Sequence, residues 1–222
     1  MPIYLIRHGE TALNASRILQ PPDTPLNAEG VAQAQALGRR LLNQHVDAIL
    51  TSDLSRALQT AQAIVAERPP EKEGPLRLRT SSLLHERNLG DLRGQPYEVI
   101  GADLLDFKDA PPGGESIAQF EERVAAAFEH VIDVHQVLMD DAAEDGSAPP
   151  DPVLLVVSHG LVIRRFIEAH LGLRSGETVP ARIANSSITI FESTPPHLLK
   201  LLNSSTHLLG AQSSHHSPAF GG

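Results

Sequence analysis

The sequence contains no cysteine. Disulfides, thiolate nucleophiles and zinc–thiolate sites are therefore excluded. Tryptophan is also absent and aromatic residues make up only 4%, so any core must be mainly aliphatic. Basic residues are outnumbered, and the formal net charge is −9 at pH 7. A general nucleic-acid binder carries a basic face, so no nucleic-acid partner is expected. No run is long and apolar enough to span a bilayer, so no membrane partner is expected either. The start, Met-Pro-Ile-Tyr-Leu-Ile-Arg-His, lacks a basic leader followed by a long apolar stretch. A secretory signal is thus not expected, and cytoplasmic location is the default.

What remains suits one α/β domain: 222 residues, of which 41% are hydrophobic. Residues 2–6 form an apolar run that ends in a polar, Gly-containing segment, 7–14. That pattern reads as a buried strand feeding a functional loop. The prolines of 20–25 require loop. Asn27 looks like the N-cap of a helix reaching about Asn43. Residues 46–50 read as a strand, and Thr51, Ser52 or Asp53 as the cap of the next helix. Residues 76–84 are weakly extended, and 86–114 are irregular with a short helix over 97–107. Ser116 and Gln119 form a capping box before a long helix. The acidic stretch 140–151 reads as a solvated loop.

Residues 153–157, Val-Leu-Leu-Val-Val, are the clearest buried strand. A helix follows to Leu171-Gly172, then strands at 188–191 and 198–202. Strands alternating with helices imply βαβ units and a largely parallel sheet with helices on both faces. Residues 1–203 are read as a single domain and 204–222 as a flexible Ser-, His- and Gly-rich tail.

Two of the most polar corners, Arg7-His8-Gly9 and Ser158-His159-Gly160, fall at the carboxyl ends of strands. Ligands on such sheets bind there, so one shared site is expected. An arginine beside a histidine offers a fixed fork for phosphate oxygens next to a neutral nitrogen nucleophile. Gly9 would let the backbone come close to a ligand. The competing reading is an ordinary turn. Taken singly, Arg56 reads as a surface arginine, Glu86 as half of an exposed ion pair, and His159 as a structural histidine. Arg164 and Arg165 read as a solvated helix face. His207, His215 and His216 lack a ligand framework, so no metal is expected.

Four separated motifs occur in order: R-H-G-E-T-A-L-N, S-D-L-S-R-A-L-Q-T, L-L-H-E-R-N-L-G and V-V-S-H-G. With them the chain resembles the histidine phosphatase superfamily, the phosphoglycerate mutase-like family, from Ile3 to about Asn203. The resemblance implies a three-layer α/β/α sandwich with a mostly parallel central sheet. It implies that His8 is the nucleophile, that Arg7 and Arg56 bind phosphate, and that Glu86 is the general acid and base. His159 is implied as the second catalytic histidine. Asn14 and the helix start at Gly160 and Leu161 are implied as substrate contacts. No cofactor or metal is implied, because two arginines can neutralise a transferring phosphoryl group.

The resemblance covers both phosphatases and mutases. Mutases carry a longer segment after the acid/base glutamate, with basic residues for the substrate's other anionic group. Here that segment is short, and its only cations are Arg87, Arg93 and Lys108. Hydrolysis of a small phosphorylated metabolite is therefore the expected reaction. A mutase-type phosphotransferase and a non-catalytic phospho-ligand or protein-binding module are the alternatives. Whether the chain is a monomer or a dimer is open. The Gln20-Pro21-Pro22 segment stands where the family often has glycine, which bears on the substrate rather than on the chemistry.

Overall fold

The computed structural model describes residues 1–69, 76–100, 104–105, 107–144, 152–174 and 176–209. The first apolar run pairs with the most apolar run of the chain. Strand β1 (Pro2–Arg7) lies parallel to β4 (Leu154–Ser158), with Ile3 opposite Leu154 and Arg7 opposite Ser158. That register puts the two polar corners side by side. β2 (Ala48–Thr51) continues the sheet on the other side of β4, and β3 (Arg77–Thr80) closes that edge, both parallel. β5 (Ile188–Glu192) and β6 (Leu199–Ser204) complete the order β3-β2-β4-β1-β5-β6, and both run antiparallel to their neighbours.

Side chains alternate between the faces of each strand, and each face needs its own cover. Ile3, Leu5, Leu154 and Val156 pack on one face against Phe120, Val124 and Val131 of α4 (Ile117–Glu144) and Phe166 of α5 (Gly160–His170). Ile6, Ile49, Leu155 and Val157 pack on the other against Leu37 of α2 (Ala28–Arg40) and Ala57, Ala61 and Ile64 of α3 (Ser55–Ala66). The result is the three-layer α/β/α sandwich with a mostly parallel sheet. A one-turn helix, α1 (Ala12–Ala15), sits in the loop after β1.

Local signals explain most of the boundaries. Asn27 caps α2 by accepting from the Gly30 amide at 2.7 Å. The capping box forms as expected. Gln119 accepts from the Ser116 amide at 2.9 Å, and Ser116 accepts from the Gln119 amide at 3.2 Å.

Several expectations need correction. α2 stops at Arg40, short of Asn43. α3 is capped at Leu54 with no side-chain cap bond, and none of Thr51, Ser52 or Asp53 occupies the cap, although Ser52 Oγ accepts from the Leu54 amide at 3.3 Å. The short helix near 97–107 is a 3-10 turn, Tyr97–Val99, and 101–103 and 106 lie outside the described residues. The acidic stretch does not begin a loop at 140. α4 continues to Glu144, with Asp140 accepting from Gln136 and Asp141 from Arg77. Residues 145–151 lie outside the described residues. The chain also stays in the sheet beyond Asn203. β6 ends at Ser204, and the 3-10 turn Thr206–Leu208 packs against α2. The remainder of the expected tail, 210–222, lies outside the described residues. Among the described residues, no helix is long and apolar enough to cross a membrane.

Candidate active site

β1 ends at Arg7 and the chain turns at His8 into the loop before α1. His8 is 1% exposed. Its Nδ1 lies 2.7 Å from the Gly9 carbonyl. A carbonyl can only accept, so Nδ1 carries the proton and the lone pair sits on Nε2. Burial, and then the positive charges of Arg56 and Arg7, hold the His8 pKa well below the ordinary histidine value. The ring is therefore neutral at physiological pH.

β4 ends beside it and delivers His159, wholly buried, with the two rings 5.1 Å apart and tilted by 56°. His159 Nε2 lies 2.9 Å from Ser52 Oγ, while Nδ1 is buried with no partner. A hydroxyl proton given to Nε2 leaves the imidazole proton on Nδ1, where it can be donated. Burial, then Arg56, lowers this pKa well below its ordinary value too.

The two arginines surround the histidines. Arg7 donates through Nη1 to the Ile183 carbonyl, and Arg56 through Nη1 to the Pro21 carbonyl at 3.2 Å. In both, Nε is buried without a partner. Buried donors are ordinarily satisfied, so these two guanidinium Nε–H groups and the imidazole nitrogen are donors available to an anion. Burial lowers both arginine pKa values, that of Arg56 to about 10, with the nearby Glu86 charge opposing the shift. Both remain cationic at neutral pH. The rigid Pro21-Pro22 loop thus holds a phosphate-binding candidate from behind.

Glu86 stands in the coil after a 3-10 turn, Ser82–Leu84. It is half-buried, and its Oε1 accepts from the Arg87 amide at 3.0 Å and its Oε2 from the Leu161 amide at 3.2 Å. The Leu161 amide expected to face a phosphate is thereby given to the glutamate. Gly160 lies against the Arg7 guanidinium, since a Cβ there would stand 3.4 Å from Arg7 Nε. Asn14 is buried, and its Oδ1 accepts from Asn185 at 3.2 Å, which leaves its amide protons for the cavity it lines.

Beside these groups lies a cavity of about 530 Å³ whose lining includes Arg7, Asn14, Arg17, Glu86, Arg164 and Arg182. Arg164, half-buried, lines the cavity while donating to Glu168 at 2.9 Å. Arg165 donates to Glu121 and Glu168. Arg17 donates to Glu98 at 3.1 Å. A chain of net charge −9 has therefore gathered cations at one place.

Three details differ from the sequence reading or escaped it. Gly9 is glycine for a packing reason: a Cβ there would lie 2.5 Å from the Gly30 carbonyl. Arg87 does not face a substrate. It is 3% exposed and donates to the carbonyls of Leu104, Phe107, Asp109 and Glu115. Asn185 was not anticipated, yet its Nδ2 donates to the carbonyls of His8 (3.0 Å) and Gly9 (3.2 Å) as well as to Asn14. Its setting, Ala-Asn-Ser-Ser before a strand, carries no signal that separates it from a turn. Among the described residues, no cluster of His, Asp and Glu could hold a metal ion.

The arrangement joins two neutral imidazoles, two guanidinium groups and a carboxylate at one place, with Arg7 and Glu86 lining the cavity. The sequence matches the profile of the Histidine phosphatase superfamily (branch 1) over residues 3–204. The chain belongs to the histidine phosphatase superfamily. Superfamily relatives carry two kinds of name. The chain is 33% identical over 202 residues to phosphoglycerate mutase-like protein 4 of Arabidopsis thaliana, covering 85% of this chain and 78% of the relative. It is 32% identical over 187 residues to fructose-2,6-bisphosphatase TIGAR B of Danio rerio, covering 73% and 71%. Among solved structures, the alpha-ribazole phosphatase from Shigella flexneri superposes with a TM-score of 0.71 at 25% identity, covering 92% of this chain and 97% of that one. Both phosphatase and mutase names thus lie within reach of this histidine phosphatase fold.

Proposed function

We propose that this protein hydrolyses small phosphate monoesters through a phosphohistidine on His8. In the first half-reaction, His8 Nε2 bonds to phosphorus, the ester P–O bond breaks, and Glu86 gives its proton to the leaving oxygen. In the second, a water oxygen bonds to phosphorus, the N–P bond breaks, and Glu86 takes the water's proton. Inorganic phosphate and neutral His8 result. Arg7, Arg56, the His159 Nδ1–H and the Asn14 amide carry the phosphoryl charge, which is the main task of a phosphoryl-transfer site.

The observation that carries this reading is the His8 tautomer. The Gly9 carbonyl fixes the proton on Nδ1 and leaves the lone pair on Nε2, with two buried guanidinium groups that have unpaired Nε–H donors close to the ring. Comparing wild type with His8→Ala on an aryl phosphate tests it, with equal rates refuting it. Trapping an alkali-stable, acid-labile phosphoenzyme that His8→Ala lacks would support it.

The mutase reading has the names of several relatives in its favour, phosphoglycerate mutase-like protein 4 of Arabidopsis thaliana among them. Against it, Arg87 is turned inward onto backbone carbonyls. Interconversion of phosphoglycerates faster than their hydrolysis would reverse this preference. The substrate class is a small anionic phosphorylated metabolite, consistent with the arginines that line the cavity.

A further inference from the structure

We propose that Arg123, on α4, is the positioning residue of Glu86, and that its guanidinium sets the reach of the proton to the leaving oxygen. The proposal rests on the reading of Glu86 as the acid and base.

Glu86 belongs to neither a helix nor a strand. No ladder of backbone bonds fixes its coil, yet half-buried carbonyls there need donors. Arg123 supplies them. Its Nη1 donates to the carbonyls of Leu83 at 2.9 Å and His85 at 2.8 Å, and its Nη2 reaches the Glu86 carbonyl at 3.5 Å. One planar group therefore ties down the residues on the N-terminal side of the glutamate and the glutamate itself. The guanidinium is in turn held by Glu115, with Nη2 to Oε1 at 2.6 Å and Nε to Oε2 at 3.3 Å, and lies over the Phe120 ring, 5.3 Å from its centroid. Glu115 Oε1 also accepts from the Asn88 amide at 2.7 Å, so the same ion pair holds the C-terminal side of the coil. Between these points Ser158, next to His159, donates to the Leu84 carbonyl at 2.9 Å. The coil is thus fastened to α4 by Arg123 and to the nucleophile's neighbouring strand by Ser158.

Only arginine offers such a fork. Its five donors lie in one plane, whereas lysine has three on a point charge and cannot span the same acceptors. Proton delivery demands heavy-atom approach to about 2.6–3.2 Å, and a misplacement of about 1 Å can cost on the order of 10²-fold. Arg123 is not itself among the residues that line the cavity, and it reaches one of them, Glu86, through that residue's carbonyl.

The discriminating experiment varies the leaving group. We measure kcat/KM, which reports formation of the phosphohistidine, for an alkyl phosphate and for 2,4-dinitrophenyl phosphate. The dinitrophenolate leaves without a proton and so does not need the acid. Arg123→Lys is expected to lose about 10- to 100-fold on the alkyl ester and less than about 3-fold on the dinitrophenyl ester, with inhibition by inorganic phosphate unchanged. Equal losses on both esters, or weakened inhibition by phosphate, would overturn the proposal and leave Arg123 as scaffold. Glu86→Gln is run alongside. If it shows the leaving-group dependence and Arg123→Lys does not, the positioning role fails and Glu86 stands. If Glu86→Gln shows none, the reading of Glu86 itself fails. Should Arg123→Lys not fold, Glu115→Gln loosens the same guanidinium and must show the same selective loss, smaller in size. A uniform or absent effect there also refutes the proposal.

Discussion

The buried histidines make the stability of the substrate-free protein depend on pH in a way that can be calculated. Burial and the adjacent arginines hold His8 and His159 well below the ordinary histidine value. In the unfolded chain both titrate near pH 6.5. Below that pH the unfolded chain binds two protons that the folded protein refuses. Stability therefore rises with pH through this window, and is lost as pH falls below about 6.5. Each refused proton contributes a limiting slope of about 1.4 kcal/mol per pH unit, so the two together give about 2.7 kcal/mol per unit. The full slope should be reached about one unit below the unfolded value, near pH 5.5. The assay is urea unfolding at intervals from pH 7.5 to 5, for wild type and for the double variant His8→Gln, His159→Gln. All other titrating groups are common to both, so the difference of slopes isolates these two rings. The variant should be less pH-sensitive by about 2.7 kcal/mol per unit at the acid end. Saturating inorganic phosphate should shrink the difference, because an anion in the cradle favours protonated rings. Equal slopes for the two proteins would refute the argument that the rings are held neutral.

Gly30→Ala should be severely destabilising, by more than about 3 kcal/mol in urea unfolding, because its Cβ would lie 2.0 Å from the Glu10 carbonyl oxygen and both parties are backbone. A loss under about 1 kcal/mol would contradict this packing. Asn185→Ala should lower kcat/KM about 10- to 100-fold by releasing the carbonyls that frame His8, at a stability cost of about 1–3 kcal/mol. Unchanged kinetics would deny it that role. Thr60→Val should cost about 1–3 kcal/mol in thermal or urea unfolding, since Thr60 Oγ1 accepts from the buried Gly9 amide at 3.0 Å. Dialysis against EDTA should leave phosphatase activity intact, and its abolition would rule out a mechanism run on arginines alone.

The parallel core was legible because it is written locally. Val153 to Val157 declare a buried strand by composition, and Ser116 with Gln119 declare a helix start by spacing. Arg7, His8, Arg56, Glu86 and His159 were legible as a set only through motif order, and the structure brings them close together, with Arg7 and Glu86 lining the cavity. What sequence could not offer was partnership across space. The antiparallel sense of β5 and β6 depends on how the chain returns after α5, which no periodicity encodes. The reason for Gly9 lies in Gly30, and the reason for Ser52 lies in His159. α4 outran its predicted end because Gln136 and Arg77 give partners to Asp140 and Asp141 in a stretch whose composition alone suggested loop.

The strand order has a consequence for how the protein comes to exist. Ile3 pairs with Leu154, and β1 is enclosed on its other side by β5. During synthesis at about 5–20 residues per second, the segment bearing His8 is made before both neighbours and must wait several seconds or more for them. Until then it is an apolar strand with two open edges, the kind of segment that aggregates or recruits chaperones. His8 is thus translated well before the strands that complete its surroundings, so a chain stalled before β4 carries the hazard of β1 without the site around His8.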